Sequence, residues 1–292
     1  MSTENRSLPQ LLTLPPVVQR FNEVCGKNTQ SFMASLLTIY NDDEKLRKCD
    51  PVSILAAAKQ AAILQLPIVK QFGFAHIIPY YDSRNKKHVA TFQVGYKGFL
   101  QLAMRTGVFR NINAGAIYEG QIKNYDYITG EFTLTDRTSD SVVGYFAYME
   151  LINGFRKTLF MTKAEVEEHA RTYSQSYAYD LKNGGKSSVW SKNFDAMAKK
   201  TVLKKLLNTY APTSIEMQNN DLATAIRADQ AVIAKDSYSY IDNSGEVVER
   251  TDNTLAQEAK IDSANTVDVE AKDFDGETGE VIKENDPFVT GD

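Results

Sequence analysis

The pattern of hydrophobic and polar positions in residues 186–210 predicts a helix of about four turns that is apolar over most of its circumference. At about 100° per residue, one arc of this helix carries the four side chains Val202, Leu203, Leu206 and Leu207. Such an arc has to face a hydrophobic core. We expect Ser191 to cap the N-terminus, Asp195 to lie in the first turn, and Pro212 to end the helical pattern.

Lysines interrupt this apolar pattern. Lys199 lies on the same arc as the leucines, and Lys192, seven residues earlier, is aligned with it. The rest of the circumference carries Lys200, Lys204 and Lys205. A lysine in an apolar arc costs free energy unless its ammonium group reaches an anion at the surface. The stretch therefore favours anion binding, and a polyphosphate chain is favoured because the cations extend over several turns. The solvated face of an ordinary amphipathic helix is the alternative.

The remainder of the chain predicts an α+β fold. Residues 1–28 are polar and contain prolines, which predicts a flexible N-terminal arm. Helical spacing in residues 29–66 is followed, in residues 74–94 and 112–161, by the alternation and turn residues of hairpin strands. Residues 29–235 are therefore predicted to form one domain, in which antiparallel hairpins pack on helices.

Charge is distributed unevenly along the chain. The net charge of −4 combines residues 1–212, with 27 basic and 18 acidic residues (+9), and residues 213–292, with 6 basic and 19 acidic residues (−13). A basic body with an acidic tail predicts that the body binds nucleic acid. The acidic, polar composition of residues 236–292 predicts a disordered tail that binds a partner, although a tail that only adds solubility has the same composition.

A strand-to-helix turn adds a second candidate site for a phosphate. Tyr96 and Lys97 open a predicted helix, and Arg105 lies near its end. Gly98 would let a phosphate backbone approach the free N–H groups at the helix N-terminus. Glycine also serves ordinary turn geometry, so this motif is weak by itself.

Two loops contribute further cations. Arg156 and Lys157 directly follow the hairpin turn Asn153-Gly154. Lys186 lies in a loop rich in tyrosine, serine, glycine and lysine that leads into the long helix.

Recognisable catalytic motifs are missing. Cys25 and Cys49 have neither a metal-ligand nor a disulfide-framework spacing, and the three histidines are scattered. The chain has no G-x-x-x-x-G-K-[ST] motif, so ATP hydrolysis is not expected. No charged n-region with an apolar h-region opens the sequence and no run of 18 apolar residues occurs in it, so we expect a cytoplasmic protein that does not enter a membrane.

Two segments carry a family likeness: A-T-F-Q-V-G-Y-K-G-F-L-Q-L-A-M-R at 90–105 and W-S-K-N-F-D-A-M-A-K-K-T-V-L-K-K-L-L at 190–207. Together with the proline that follows, they resemble the RecT/Redβ family of phage single-strand DNA annealing proteins. The likeness extends in order from about residue 25 to 212. One departure is Val189, which precedes Trp190 where the family commonly has proline.

The resemblance implies ATP-independent binding of single-stranded DNA, annealing through a duplex intermediate, and assembly into rings or helical filaments in the cytoplasm of a bacterial host. It also implies a curved antiparallel sheet backed by a long helix. The C-terminal region would contact a partner exonuclease or the host single-strand-binding protein. No cofactor would be required, and Mg²⁺ would at most modulate DNA binding.

The resemblance and the residue patterns select overlapping candidates for DNA contact. The candidate phosphate contacts are Lys97, Arg105, Arg156, Lys157, Lys186, Lys192, Lys199, Lys200, Lys204 and Lys205. Gln93, Tyr96 and Trp190 are candidates for base or sugar contact, each with a core position as the alternative. Two other functions stay open at this point: a metal-dependent recombination nuclease, and a non-catalytic adaptor that acts through its acidic tail.

Overall fold

The computed structural model of the chain describes residues 6–82, 85–126, 128–212 and 221–233, together with the backbone of residues 237–240 and 247–249. The helices are α1 (Leu8–Leu12), α2 (Pro15–Cys25), α3 (Thr29–Asp42), α4 (Glu44–Arg47), α5 (Pro51–Ile63), α6 (Tyr96–Arg105), α7 (Lys163–Tyr173), α8 (Gln175–Asn183), α9 (Val189–Lys192), α10 (Phe194–Tyr210) and α11 (Asp221–Ala228). The strands are β1 (Ala75–Asp82), β2 (Lys87–Val94), β3 (Phe109–Tyr118), β4 (Ile122–Tyr125), β5 (Phe132–Leu134), β6 (Val142–Leu151), β7 (Arg156–Thr162), β8 (Ala231–Ile233), β9 (Ser237–Tyr240) and β10 (Val247–Glu249). Among these helices, none has the length and apolarity needed to cross a membrane.

Local sequence signals place several of these elements. The Asp50 carboxylate accepts a hydrogen bond from the Val52 N–H (2.9 Å), and Pro51 occupies the first helical position of α5. Thr162 and Glu165 form the capping box at the start of α7. Both helix starts follow from the local sequence, because a cap satisfies backbone N–H groups that have no partner inside the helix.

The strands form antiparallel sheets that do not close into a barrel. One sheet has the order β1-β2-β8-β9-β10, a second has the order β3-β6-β7, and β4 pairs with β5. Every neighbouring pair is antiparallel. The mixed α+β class with antiparallel hairpins is therefore confirmed.

Helix α10 packs across the sheet formed by β3, β6 and β7. The predicted apolar arc is confirmed, because its four side chains are fully buried: Val202, Leu203, Leu206 and Leu207. The Tyr145 hydroxyl on β6 donates a hydrogen bond to Asp195 in the first turn of α10. The long helix is thus fixed to the sheet along its apolar face and at its N-terminal end.

The flexible arm predicted for residues 1–28 is not what the structure shows for residues 8–28. Helices α1 and α2 occupy most of this segment and bury Leu8, Leu11, Leu12 and Phe21. The Ser7 N–H donates to Gln10 Oε1 (3.0 Å) at the start of α1, which packs against α5. The three leucines recur at helical spacing, so even one and a half turns of helix can deliver an apolar face to the core. Residues 1–5 lie outside the described part of the chain.

The start of α10 also differs from the prediction. Ser191 does not cap it, because residues 189–192 form the separate short helix α9, whose cap is Ser188. The chain turns at Asn193 (φ −147°, ψ 65°), and α10 begins at Phe194 without a side-chain cap. The tail boundary differs as well, since β9 and β10 lie within residues 236–292 and pair in the five-stranded sheet. Apart from those two strands, the predicted disordered tail lies outside the described residues.

Candidate nucleic-acid interface

A pocket of about 330 Å³ lies between α7, α9, α10 and the turn that follows α11. Its charged lining residues are Lys200, Lys204, Lys205 and Asp229. Its other polar or aromatic lining residues are His169, Tyr173, Trp190, Thr201, Asn208 and Gln230. The fold therefore gathers three of the predicted phosphate-binding lysines and the sole tryptophan around one opening.

Asp229 is the only carboxylate that lines this pocket in the described part of the chain. Its side chain is fully buried, and its carboxylate contacts two ammonium groups and one backbone N–H. Lys204 Nζ lies 2.8 Å from Oδ2, Lys200 Nζ lies 3.4 Å from Oδ1, and the Val94 N–H donates to Oδ1 at 2.8 Å. One carboxylate thus pairs with two ammonium groups and balances only one of their two charges, so a net positive charge remains.

The protonation states follow from burial and from this ion pair. Burial by itself would raise the pKa of Asp229, but Lys200, Lys204 and the Val94 N–H favour the carboxylate and lower the pKa overall. Burial lowers the pKa of Lys200, and Asp229 opposes that shift. Burial, followed by the nearby charges of Lys205 and Lys204, lowers the pKa of His169 to about 4. At neutral pH His169 is therefore uncharged, and the lysines supply the positive charge of the pocket.

Asp229 also connects the two segments that carry the family likeness. Val94 lies in the segment 90–105, whereas Lys200 and Lys204 lie in the segment 190–207. The neighbouring Gln230 N–H donates to Phe92 O (2.8 Å), which adds a second link to β2. A residue outside both segments therefore fixes their relative position.

A second buried carboxylate organises the loop before α9. Asp180, 2% exposed, accepts hydrogen bonds from Ser187 Oγ (2.7 Å), the Ser188 N–H (2.7 Å) and Ser191 Oγ (2.6 Å). These bonds, with that from Ser191 Oγ the largest influence, lower the pKa of Asp180 well below its ordinary value. The carboxylate of Asp180, on α8, thus fixes the residues that directly follow Lys186 to the helix that precedes this loop.

A sequence model of the RecT family matches residues 30–249, which is most of the chain. This protein belongs to the RecT family. The chain is 40% identical over 287 residues to Uncharacterized protein YqaK of Bacillus subtilis (strain 168), covering 98% of this chain and 87% of that protein. It is 28% identical over 213 residues to Protein RecT of Escherichia coli (strain K12), covering 69% of this chain and 75% of that protein. Membership identifies a protein of DNA recombination and annealing, and it implies DNA binding and self-association.

Within this RecT-family fold, the predicted lysines fall into two groups. Lys200 and Lys204 are paired with Asp229, and the Lys200 side chain is only 10% exposed. The others are exposed or half-buried and have no carboxylate within 4.0 Å among the described residues: Lys97, Lys186, Lys192, Lys199 and Lys205. The second group is free to meet a phosphate, whereas Lys200 has a structural role in the ion pair. Contact with DNA stays a prediction for both groups.

The strand-to-helix turn serves packing as well. Gly98 is buried, and a Cβ atom added there would collide with the backbone oxygen of Phe74. The close approach that glycine permits is therefore made by the protein's own backbone and not by a phosphate, which corrects the sequence interpretation. Arg105 donates to the carbonyl oxygens of Leu64 (2.7 Å) and Gln65 (2.9 Å), just after α5, so its guanidinium also has a structural task.

The cations of the β6–β7 hairpin differ from one another. Arg156 is exposed, whereas Lys157 is half-buried and donates to Thr129 O (3.2 Å). The Lys157 ammonium also lies 5.5 Å from the ring centroid of Tyr210, at the end of α10. Arg156 is therefore more available to an outside anion than Lys157.

The three candidates for base or sugar contact are at least half-buried. Trp190 is 6% exposed and packs between Phe194 (ring centroids 5.4 Å apart) and Tyr177 (6.0 Å). Gln93 Nε2 donates to the Tyr80 hydroxyl at 3.1 Å, and Tyr96 is half-buried at the start of α6. The core alternative thus describes Trp190 well, although its ring still lines the pocket.

Sequence reasoning missed four residues of this region: Asp180, Asn208, Asp229 and Gln230. Asp229 is 135 residues from the Val94 N–H that it accepts from, so no local pattern reveals the contact. Asn208 could have been predicted from the sequence, because it lies one helical turn after Lys204 and therefore on the same face of the helix. No group of three or more histidine, cysteine, aspartate or glutamate side chains that could hold a metal occurs within the described ranges.

Proposed function

We propose that this protein binds single-stranded DNA through its phosphates and anneals complementary strands without hydrolysing a nucleotide, working as an oligomer or filament on the DNA. Family membership supports the general function. The observation that carries the proposal is the unequal pairing at Asp229, where one carboxylate serves two lysines while Lys205 on the same pocket has no carboxylate partner in the described structure.

The excess of cations explains how annealing could proceed without an energy source. Lysines that neutralise phosphates release condensed counterions and reduce the repulsion between two strands. Each base-pair step of a DNA duplex then contributes about 1.4 kcal/mol of stacking. Pairing therefore supplies the driving force once the strands are held together, and the protein needs no sequence preference of its own.

Self-association would extend the same surface. Side-by-side subunits would place successive cationic surfaces along one strand, so that binding becomes cooperative. We propose that Mg²⁺ modulates DNA binding at most. We also propose that residues 236–292 bind a partner exonuclease or the host single-strand-binding protein.

An annealing assay tests the main proposal. Complementary labelled strands are mixed with the full-length protein and Mg²⁺, without nucleotide, and duplex formation is compared with the protein-free rate. Faster formation of full-length duplex supports annealing. Shortened strands would replace the proposal by a nuclease, and unchanged rates with no retained DNA would replace it by an adaptor function.

Charge variants then locate the surface. Lys205→Ala and Lys199→Ala are each expected to weaken binding to all sequences alike and to reduce the salt dependence by about 0.7 in the log–log slope per lost phosphate contact. Lys59→Ala is a matched control, because Lys59 is an exposed helical lysine on α5 and does not line the pocket. A salt slope that stays the same in both α10 variants would place the DNA elsewhere.

A further inference from the structure

Gln230 adopts a backbone conformation that few residues of its kind tolerate. Its φ is +71°, in the left-handed region that favours glycine or asparagine. Two hydrogen bonds hold it there: its own N–H donates to Phe92 O, and the preceding Asp229 accepts from the Val94 N–H. Strain that the surroundings enforce in this way is concentrated at functional sites.

The strained backbone belongs to a residue that lines the pocket next to α10. Gln230 and Asn208 both contribute carboxamides to this pocket, and neither carboxamide has a hydrogen-bond partner in the described part of the chain. A carboxamide carries both a donor and an acceptor, which is the combination that reads the edge of a base. Gln230 is half-buried and Asn208 is exposed, so both carboxamides are accessible to a ligand that enters the pocket.

Rings and cations complete the lining. His169 and Tyr173 lie with ring centroids 4.6 Å apart on α7, and Tyr173 is 43% exposed. Lys204 and Lys205 line the same pocket. Aromatic faces stack on a base, cations bind its phosphate, and carboxamides form hydrogen bonds with the edge of the base. A volume of about 330 Å³ falls within the range for small-ligand pockets.

We propose that this pocket seats one nucleotide of the bound DNA strand, with the phosphate at Lys205 and the base at Asn208, Gln230 and the rings of His169 and Tyr173. The inference rests on the proposed binding of single-stranded DNA and deepens it. Each subunit would then hold most nucleotides by phosphate alone and one by its base as well.

Gln230 allows a variant that separates function from folding. In Gln230→Gly the carboxamide is lost, whereas the φ of +71° suits glycine better than glutamine. Asn208 is exposed on α10, so Asn208→Ala is also expected to fold. Thr209→Ala is the matched control, because Thr209 is exposed beside Asn208 but does not line the pocket.

The main experiment compares two probes on the full-length protein: oligodeoxythymidylate, and a strand of the same length built of abasic residues. The wild-type protein is expected to prefer the strand with bases. Gln230→Gly and Asn208→Ala should each reduce that preference by at least about 5-fold, the lower end for loss of one carboxamide contact to a base edge, while affinity for the abasic strand stays unchanged. The control variant should behave as the wild type does.

Trp190 offers an independent measurement, because it is the only tryptophan and lines the pocket. Thymidine monophosphate should change its fluorescence in a saturable way, more strongly than thymidine or inorganic phosphate at equal concentration, and less in the two pocket variants.

The outcomes are distinguishable. A base preference that is the same in the wild type and both pocket variants overturns this inference while DNA binding and annealing stand. A wild-type protein that retains neither strand and anneals nothing overturns the proposed function, and the nucleotide pocket with it.

Discussion

Replacing Asp229 by asparagine removes the one negative charge that pairs with both Lys200 and Lys204. The asparagine Oδ1 can still accept from the Val94 N–H, so the link to β2 survives. Lys204, whose side chain is 28% exposed, can turn its ammonium to solvent. Lys200, whose side chain is 10% exposed, cannot, and it is left as a buried cation without a counter-charge.

The size of the effect follows from this asymmetry. Removing one partner of a buried ion pair costs about 3–5 kcal/mol, because the other charge is left uncompensated. We expect Asp229→Asn to lower the free energy of unfolding by about 3 kcal/mol, at the lower end of this range. Only Lys200 is left buried without a counter-charge, and burial already lowers its pKa, which eases loss of its proton. This is a large fraction of the roughly 5–15 kcal/mol that stabilises a typical domain.

Urea unfolding of the full-length protein measures this loss of stability. The midpoint urea concentration should fall, while the dependence of the unfolding free energy on urea concentration (the m-value) stays unchanged. The double variant Asp229→Asn with Lys200→Met should recover most of it, because replacing both members of a buried pair by uncharged groups is often neutral. Asp136→Asn, at an exposed aspartate, is the control and should change stability by less than about 0.5 kcal/mol. A loss below about 1 kcal/mol for Asp229→Asn, or no recovery in the double variant, would refute this account of Lys200.

Three further predictions concern neighbouring features. Asp180→Asn should lower the free energy of unfolding by about 1–3 kcal/mol, because a neutral amide replaces the carboxylate that accepts hydrogen bonds from three serines. The same variant should make the loop around Lys186 more susceptible to limited proteolysis. The free energy of unfolding should fall as the pH drops from about 6.5 toward about 4, because the unfolded chain binds a proton at His169 that the folded chain does not. The contribution of His169 to this pH dependence should be absent in His169→Phe. Gly98→Ala should lower the melting temperature clearly, because the new methyl group collides with the Phe74 carbonyl, and an unchanged melting temperature would show that α6 can shift without cost.

The parts of the fold that the sequence predicted correctly depend on local signals. The buried arc of α10 could be read from residues three and four apart, and the capping box Thr162–Glu165 from a four-residue pattern. The hairpin β1–β2 also followed from alternation and a polar turn. In each case the residues that decide the structure are close together in the chain, so their spacing carries the information.

The parts that the sequence did not predict depend on contacts between distant residues. Whether Lys200 meets a phosphate or a carboxylate is decided by Asp229, which lies 29 residues later in the turn after α11. Gly98 and Arg105 look like parts of an anion site until Phe74 and the end of α5 are placed beside them. Composition likewise suggested a loose N-terminal arm, because the burial of Leu8 depends on where α5 lies.

Stability and DNA affinity should respond to Asp229 in opposite directions. Without the carboxylate, the pocket gains one unit of positive charge, and Lys204 becomes free to meet a phosphate. We therefore expect Asp229→Asn, measured well below its unfolding temperature, to bind oligodeoxythymidylate at least as tightly as the wild type at low salt, with a log–log salt slope steeper by about 0.7. A shallower slope would mean that the carboxylate holds Lys204 in its binding position and does not compete with DNA for it. In that case the ion pair would be part of the interface, and the free lysines alone would not account for the binding of a strand.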